Sequence, residues 1–126
     1  MKALINAINQ NSVVCRVAKD SLSKALISNN FIVNYDSNDY RNYDLIIFFS
    51  TESNIKEVRK INSKAIVGIL DPKLNNKLQY DEAKNADFLV VSSIEQQLFA
   101  EKFNNNVIIY NWFSEVVLNK DFKSKY

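Results

Sequence analysis

The order of apolar runs and amphipathic stretches along this chain predicts an α/β fold: a doubly wound parallel sheet of about six strands in the order 2-1-3-4-5-6. Two observations carry that expectation. From Asn85 to Phe113 the sequence reads NADFLVVSSIEQQLFAEKFNNNVIIYNWF. A β-branched and aromatic run, Phe88–Val91, is followed there by an amphipathic stretch and, after three asparagines, by a second apolar run, Val107–Tyr110. Strand, helix, polar turn, strand is a βαβ unit, and continuous apolar runs of this kind read as strands buried on both faces. The second observation is that the same alternation runs back to the N-terminus.

Taken in order, residues 3–8 (ALINAI) form a first strand that ends in the polar loop Asn9–Ser12. Val14, Ala18, Leu22 and Ala25 or Leu26 recur at helical spacing, with Lys19, Asp20 and Lys24 facing away, which gives a helix over 13–28. Asn29-Asn30 stops that helix in the role glycine usually takes. Phe31–Tyr35 is a second strand. The polar connection after it, DSNDYRNY over 36–43, is short for a parallel crossover, which ordinarily takes about a dozen residues or more. Asp44 leads into a third strand, Leu45–Phe49. Ser50, Thr51 and Ser53 offer N-caps for a helix with Ile55, Val58 and Ile61 on one face.

Lys64–Leu70 is a fourth strand, and the Gly68 inside it marks a close approach by another backbone or side chain. Asp71-Pro72 ends it, and Leu74, Leu78 and Tyr80 give 73–85 a weak helical pattern. In the last unit Ile94, Leu98, Phe99 and Phe103 lie on neighbouring helical turns, and Ser93 with Gln96 makes a capping box at the start. Residues 1–113 form the domain. The remainder, SEVVLNKDFKSKY over 114–126, reads as an interdomain linker or tail with the second domain absent.

Composition excludes several classes. Sixteen Lys and Arg against fourteen Asp and Glu leave a net charge of +2 spread along the chain, which is no footprint for nucleic acid. No apolar run is long enough for a transmembrane segment, and MKALINAINQN is no signal peptide. Cys15 is the one cysteine, so an intrachain disulfide is excluded and a reducing, cytoplasmic setting fits, with peripheral membrane attachment left open. Histidine is absent, and no metal site or bound cofactor is expected. A single glycine rules out both the dinucleotide fingerprint and the Walker loop, so the chain cradles no phosphate on a glycine-rich turn of its own. Eighteen Asn, and thirteen Lys against three Arg, read as the bias of an AT-rich genome with no functional message.

Three stretches in this order resemble one family: NQNSVVCRVAKDSLSKALISNNFIV; YDLIIFFS followed by a helix and KAIVGILDPK; and ADFLVVSS, a helix, then NNVIIYNWF. Together they look like the N-terminal, acceptor-side domain of a GT-B glycosyltransferase of the large retaining family that uses nucleotide sugars. Asn111 matches the family's last motif, while Trp112 stands where glycine is usual. The resemblance implies a Rossmann-like domain that works with a nucleotide-sugar donor and a sugar or lipid-linked acceptor. It also implies that the donor is held by a second domain and that this chain alone transfers no sugar. A non-catalytic Rossmann-like binding or interaction module is the alternative. A receiver-like signalling domain is excluded, because Asn9-Gln10 and Ser50-Thr51 stand where its acidic cluster and phospho-accepting Asp would be.

Candidate site residues follow from strand ends, since open parallel sheets bind ligands at their carboxyl edge. Asp71 could accept a hydrogen bond from an acceptor hydroxyl or simply form a turn with Pro72. Ser92 and Ser93 could bind a hydroxyl or phosphate or only cap the following helix, and Asn111 ends the last strand. Asn9, Asn11 and Ser12 form a polar loop suited to an acceptor or merely to solvent. Arg16 could hold a phosphate or carboxylate or stand as a solvated surface residue. Trp112-Phe113 could stack on a sugar, pack at an interface or associate with another copy. Cys15 reads as a packed thiol.

Overall fold

The computed structural model describes residues 1–9 and 12–110, and Asn11, Asn111, Trp112, Phe113 and the expected linker 114–126 lie outside the described residues. Six strands form one parallel sheet: β1 (Lys2–Asn6), β2 (Ile32–Tyr35), β3 (Leu45–Phe49), β4 (Ile66–Leu70), β5 (Phe88–Val91) and β6 (Val107–Ile109). Their order is β2-β1-β3-β4-β5-β6, as expected. Four helices flank them: α1 (Val13–Ser28), α2 (Ile55–Ile61), α3 (Lys77–Asn85) and α4 (Ile94–Ala100).

Alternation along the strands divides the core between two faces. Leu4, Ile46, Phe48, Val67, Ile69, Leu89 and Val91 pack against α2, α3 and α4 through Ile55, Val58, Ala83 and Ala100. Ile47, Phe49, Leu70 and Val90 face α1 through Cys15 and Ala18. Fully burying a side chain such as Phe48 or Ile46 contributes about 1.5–3 kcal/mol, so the central strands β3 and β4 anchor the domain.

Gly68 pairs with Phe88 across the β4–β5 ladder, and the Phe88 ring fills the space a Cβ would take, which is the close approach expected there. Asn30, at φ 68°, ends α1 in the left-handed region, as a glycine would.

The connection from β2 to β3 passes β1 without a helix. Tyr40, in the middle of a polar stretch, is buried instead, its ring 5.9 Å from Phe48 in an edge-on contact at 73°. Asn62, at the end of α2, donates from Nδ2 to the carbonyls of Tyr40 (2.8 Å) and Tyr43 (2.9 Å). One ring and one amide do the covering a crossover helix would otherwise do.

Several expectations are corrected. The first strand ends at Asn6, not residue 8, because the buried Asn6 amide exchanges two hydrogen bonds with Ser37 (both 2.9 Å) and Asp36 accepts from the Ala7 N–H (2.8 Å). The fourth strand starts at Ile66, after a turn closed by the Ala65 N–H on the Asn62 carbonyl. Ser50, Thr51 and Ser53 do not cap α2: its N-cap is Asn54, with no side-chain cap, and Glu82 Oε2 on α3 accepts from the Ile55 N–H (3.0 Å).

On α1 the inward face centres on Cys15 and Ala18, and Val14 is exposed. The fourth helix stops at Ala100, its one buried residue, while Ile94, Leu98 and Phe99 stay exposed. A small alanine lets the helix sit close on the sheet, and the larger stripe then faces outward. Finally, β6 is an edge strand and not buried on both faces, with Ile108 and Ile109 exposed.

Candidate functional site

All six strands are parallel, so their carboxyl ends share one edge, and Asp71, Ser92 and the described part of the loop after β1 lie along it. Three residues directly following strands there have positive φ: Asp36 (53°) after β2, Ser50 (58°) after β3 and Asp71 (54°) after β4. Each donates its backbone N–H to a neighbouring strand, Asp36 to Ile5 (3.1 Å), Ser50 to Leu70 (2.8 Å) and Asp71 to Val90 (2.8 Å). The ladder therefore runs one residue further, and the chain then turns through the left-handed region. Backbone strain of this kind costs on the order of 1–3 kcal/mol and clusters at functional sites.

Asp71 borders a cavity of about 340 Å³ between the β4 loop and α4. Lys73, Asn75, Glu95 and Gln96 supply polar groups, Val91, Leu74 and Ala100 an apolar floor, and Phe99 an aromatic wall. The Asp71 carboxylate is largely shielded, 18% exposed, with Lys73 Nζ 3.8 Å away. Gln96 is fixed by its carbonyl, which accepts from the Ser92 N–H (2.9 Å) and the Ser92 hydroxyl (2.8 Å), and its own N–H goes to Ser93 Oγ (3.2 Å). The expected capping box thus closes through Ser92 rather than through the Ser93 N–H. With its carbonyl occupied, Gln96 keeps its amide NH₂ for a ligand.

The structure does not bring the remaining candidates into this cavity. Ser92 and Ser93 both serve the α4 cap and border a shallow neighbouring depression with Ile94 and Ile109. Asn9 donates from its backbone N–H (3.1 Å) and Nδ2 (3.3 Å) to Glu52, bridging the loops after β1 and β3, where the strand order reverses. Ser12 Oγ accepts from the Cys15 N–H (3.1 Å) and caps α1. Arg16 is exposed on a groove of about 310 Å³ with Lys19, Ser23 and Tyr35, on the far side of β1 and β3 from Asp71. Lys19 pairs there with Asp36 (3.0 Å) and lies 5.0 Å from the Tyr35 ring centre. Asn11 and Asn111 lie outside the described residues.

Cys15 is buried, and burial pushes its thiol pKa up, offset in part by Lys19. Tyr40 is likewise pushed up, by burial first and then by the charges of Glu57 and Glu52. Gln96, Glu95 and Phe99 join the candidate site only in three dimensions. The capping spacing of Ser93 and Gln96, which sets residue 96 in the first turn of α4, was the available signal.

No helix of the described residues is long and apolar enough to cross a membrane. No protein-family profile, curated protein or solved structure matches the chain.

Proposed function

We propose that this chain is the acceptor-side, Rossmann-like domain of a nucleotide-sugar glycosyltransferase, with the cavity at Asp71 holding a hydroxyl-rich acceptor. The observation that carries the reading is Asp71 itself, a strained residue at the carboxyl end of β4 whose shielded carboxylate borders a cavity lined by amides and one aromatic ring. Ligand sites of this type combine an apolar lining with a few placed polar groups. Sugars suit it because a carboxylate and amides engage ring hydroxyls while an aromatic wall meets the apolar ring face.

In this reading Asp71 accepts a hydrogen bond from the attacking hydroxyl and orients it. Gln96 donates to a neighbouring oxygen, and the donor nucleotide is held by a second domain across the cleft. Support comes from the strand order and from the three stretches that resemble that family, which include ILDPK, ADFLVVSS and VIIYN. A chain with one glycine has no glycine-rich turn for a pyrophosphate, which fits a donor bound elsewhere.

The test is a heteronuclear NMR titration of the purified chain with mono- and disaccharides and, separately, with nucleotide sugars. Amide shifts on saccharide addition should be confined to 71–75 and 95–100. Asp71→Asn, which keeps a residue tolerant of positive φ, should weaken them without unfolding the domain. Micromolar nucleotide binding, or sugar transfer by this chain alone, would overturn the acceptor-side assignment.

A further inference from the structure

The lining of the Asp71 cavity carries more negative than positive charge. Asp71 and Glu95 each bring a carboxylate to it, and Lys73 is the one cation among its described residues. That cation is half exposed, and its Nζ stands 3.8 Å from Asp71 Oδ2, at the outer limit of an ion pair. Among the described residues the Glu95 carboxylate has neither an ion pair nor a hydrogen bond. Lys102 is engaged elsewhere, 5.2 Å from the centre of the Phe99 ring, and does not line the cavity. One carboxylate is therefore left over, and it suits a ligand that brings one positive charge.

We propose that the cavity selects a sugar ring bearing a free ammonium, a hexosamine, and that Glu95 is the residue that determines this specificity. The inference rests on the acceptor-side reading of the same cavity and names the class of acceptor. Size points to one ring: about 340 Å³ lies at the small end of ligand sites, which run from roughly 300 to 1,000 Å³. The polar groups come from two elements, Asp71, Lys73 and Asn75 from the loop after β4, and Glu95 and Gln96 from α4. A ring held between them has its hydroxyls met by Asp71 and Gln96 and its ammonium by Glu95.

A neutral hexose offers the same hydroxyls but leaves the Glu95 charge unmatched. An N-acetylated ring presents a neutral amide in place of the ammonium, so it also forgoes the charge-assisted hydrogen bond, which is about twice as strong as a neutral one. Discrimination of this kind is a difference between two affinities and needs only one well-placed charge.

The test is a set of NMR titrations of the full chain with glucosamine, N-acetylglucosamine and glucose at neutral pH and low salt. Glucosamine should bind roughly three- to tenfold more tightly than either neutral sugar, with amide shifts confined to 71–75 and 95–100. Added salt should narrow the gap, because Glu95 is exposed. Glu95→Gln should erase the difference between glucosamine and glucose. Lys73→Gln removes the competing cation and should widen it, which keeps the question answerable if Glu95→Gln fails to fold. Equal affinity of the wild-type chain for glucosamine and glucose would overturn the inference and leave the acceptor site standing. So would N-acetylglucosamine binding as tightly as glucosamine, or a preference that survives in Glu95→Gln. If none of the three sugars binds, the acceptor reading falls and this inference falls with it.

Discussion

The ring of Phe88 lies against the backbone of Gly68, in the space where any other residue would place its Cβ. Gly68 has an ordinary negative φ, so the requirement is one of room and not of backbone conformation. Gly68→Val should cost about 1–3 kcal/mol by overpacking, read from urea denaturation. Residues in contact are not additive, so combining Gly68→Val with Phe88→Ala should cost less than the two single changes summed. Strict additivity would mean that the ring is not the obstacle.

Asn62 ties the helix-free crossover to the body of the domain through two short hydrogen bonds. Asn62→Leu keeps the branched outline of the side chain but leaves the Tyr40 and Tyr43 carbonyls without that donor, at a cost of about 1–3 kcal/mol. Hydrogen exchange over 36–44 should accelerate more than exchange in β4 or β5. Uniform acceleration across the sheet would show that the crossover is not separately braced.

Arg41 grips Asp39 through two hydrogen bonds (both 2.9 Å) and holds its carboxyl at about 2, below the ordinary 3.8. A carboxyl depressed on folding contributes stability above its unfolded value, and that contribution fades as pH falls from 3.8 toward about 2. An NMR titration of the Asp39 side chain should find this low value, and Arg41→Ala should return it to the usual range. Because the pair is exposed, salt should weaken the effect.

Cys15 lies on the buried face of α1 with its pKa raised, chiefly by burial. A thiol reagent should fail to modify it in the native chain at neutral pH and react fully in denaturant. The sign of its pH effect is opposite to that of Asp39. A thiol kept neutral by the fold adds no pH dependence below its ordinary value of 9.0, and stability falls as pH rises beyond it. Rapid native-state labelling would contradict the burial.

What could be read from the sequence was local. The strands β3 and β5 are uninterrupted apolar runs ended by Ser50 and by Ser92-Ser93, and a strand's end fixes which edge of a parallel sheet its next residue joins. Strand ends alone therefore put Asp71 and Ser92 on one edge. Contacts between distant residues were not legible. Tyr40 lies in a polar stretch whose composition gives no sign of burial. The asparagines carry more structural weight than their genomic abundance suggested. Asn104, in a run of three, donates from Nδ2 to the carbonyls of Ala83 and Ala86 (both 2.8 Å), joining the end of α3 to the turn after α4. The helical spacing in α4 was correct, but spacing alone does not say which face meets the sheet, and the face carrying Ala100 does. Gln96 was visible as a cap and invisible as a wall of the cavity.

The turns after β2, β3 and β4 have a consequence for charge selection. In nucleotide-binding sheets such turns are bare glycine, so that amide hydrogens can approach a phosphate. Here the amides of Asp36, Ser50 and Asp71 are already given to neighbouring strands, and each turn carries an oxygen-bearing side chain. The rim is thereby turned from a donor surface into an acceptor surface, with carboxylates at two of the three positions. Each carboxylate has a cation beside it, Lys19 at Asp36 (3.0 Å) and Lys73 at Asp71 (3.8 Å), so the turns show paired charges in place of bare amides. The three turns thus have no backbone amide of Asp36, Ser50 or Asp71 to spare for a ligand.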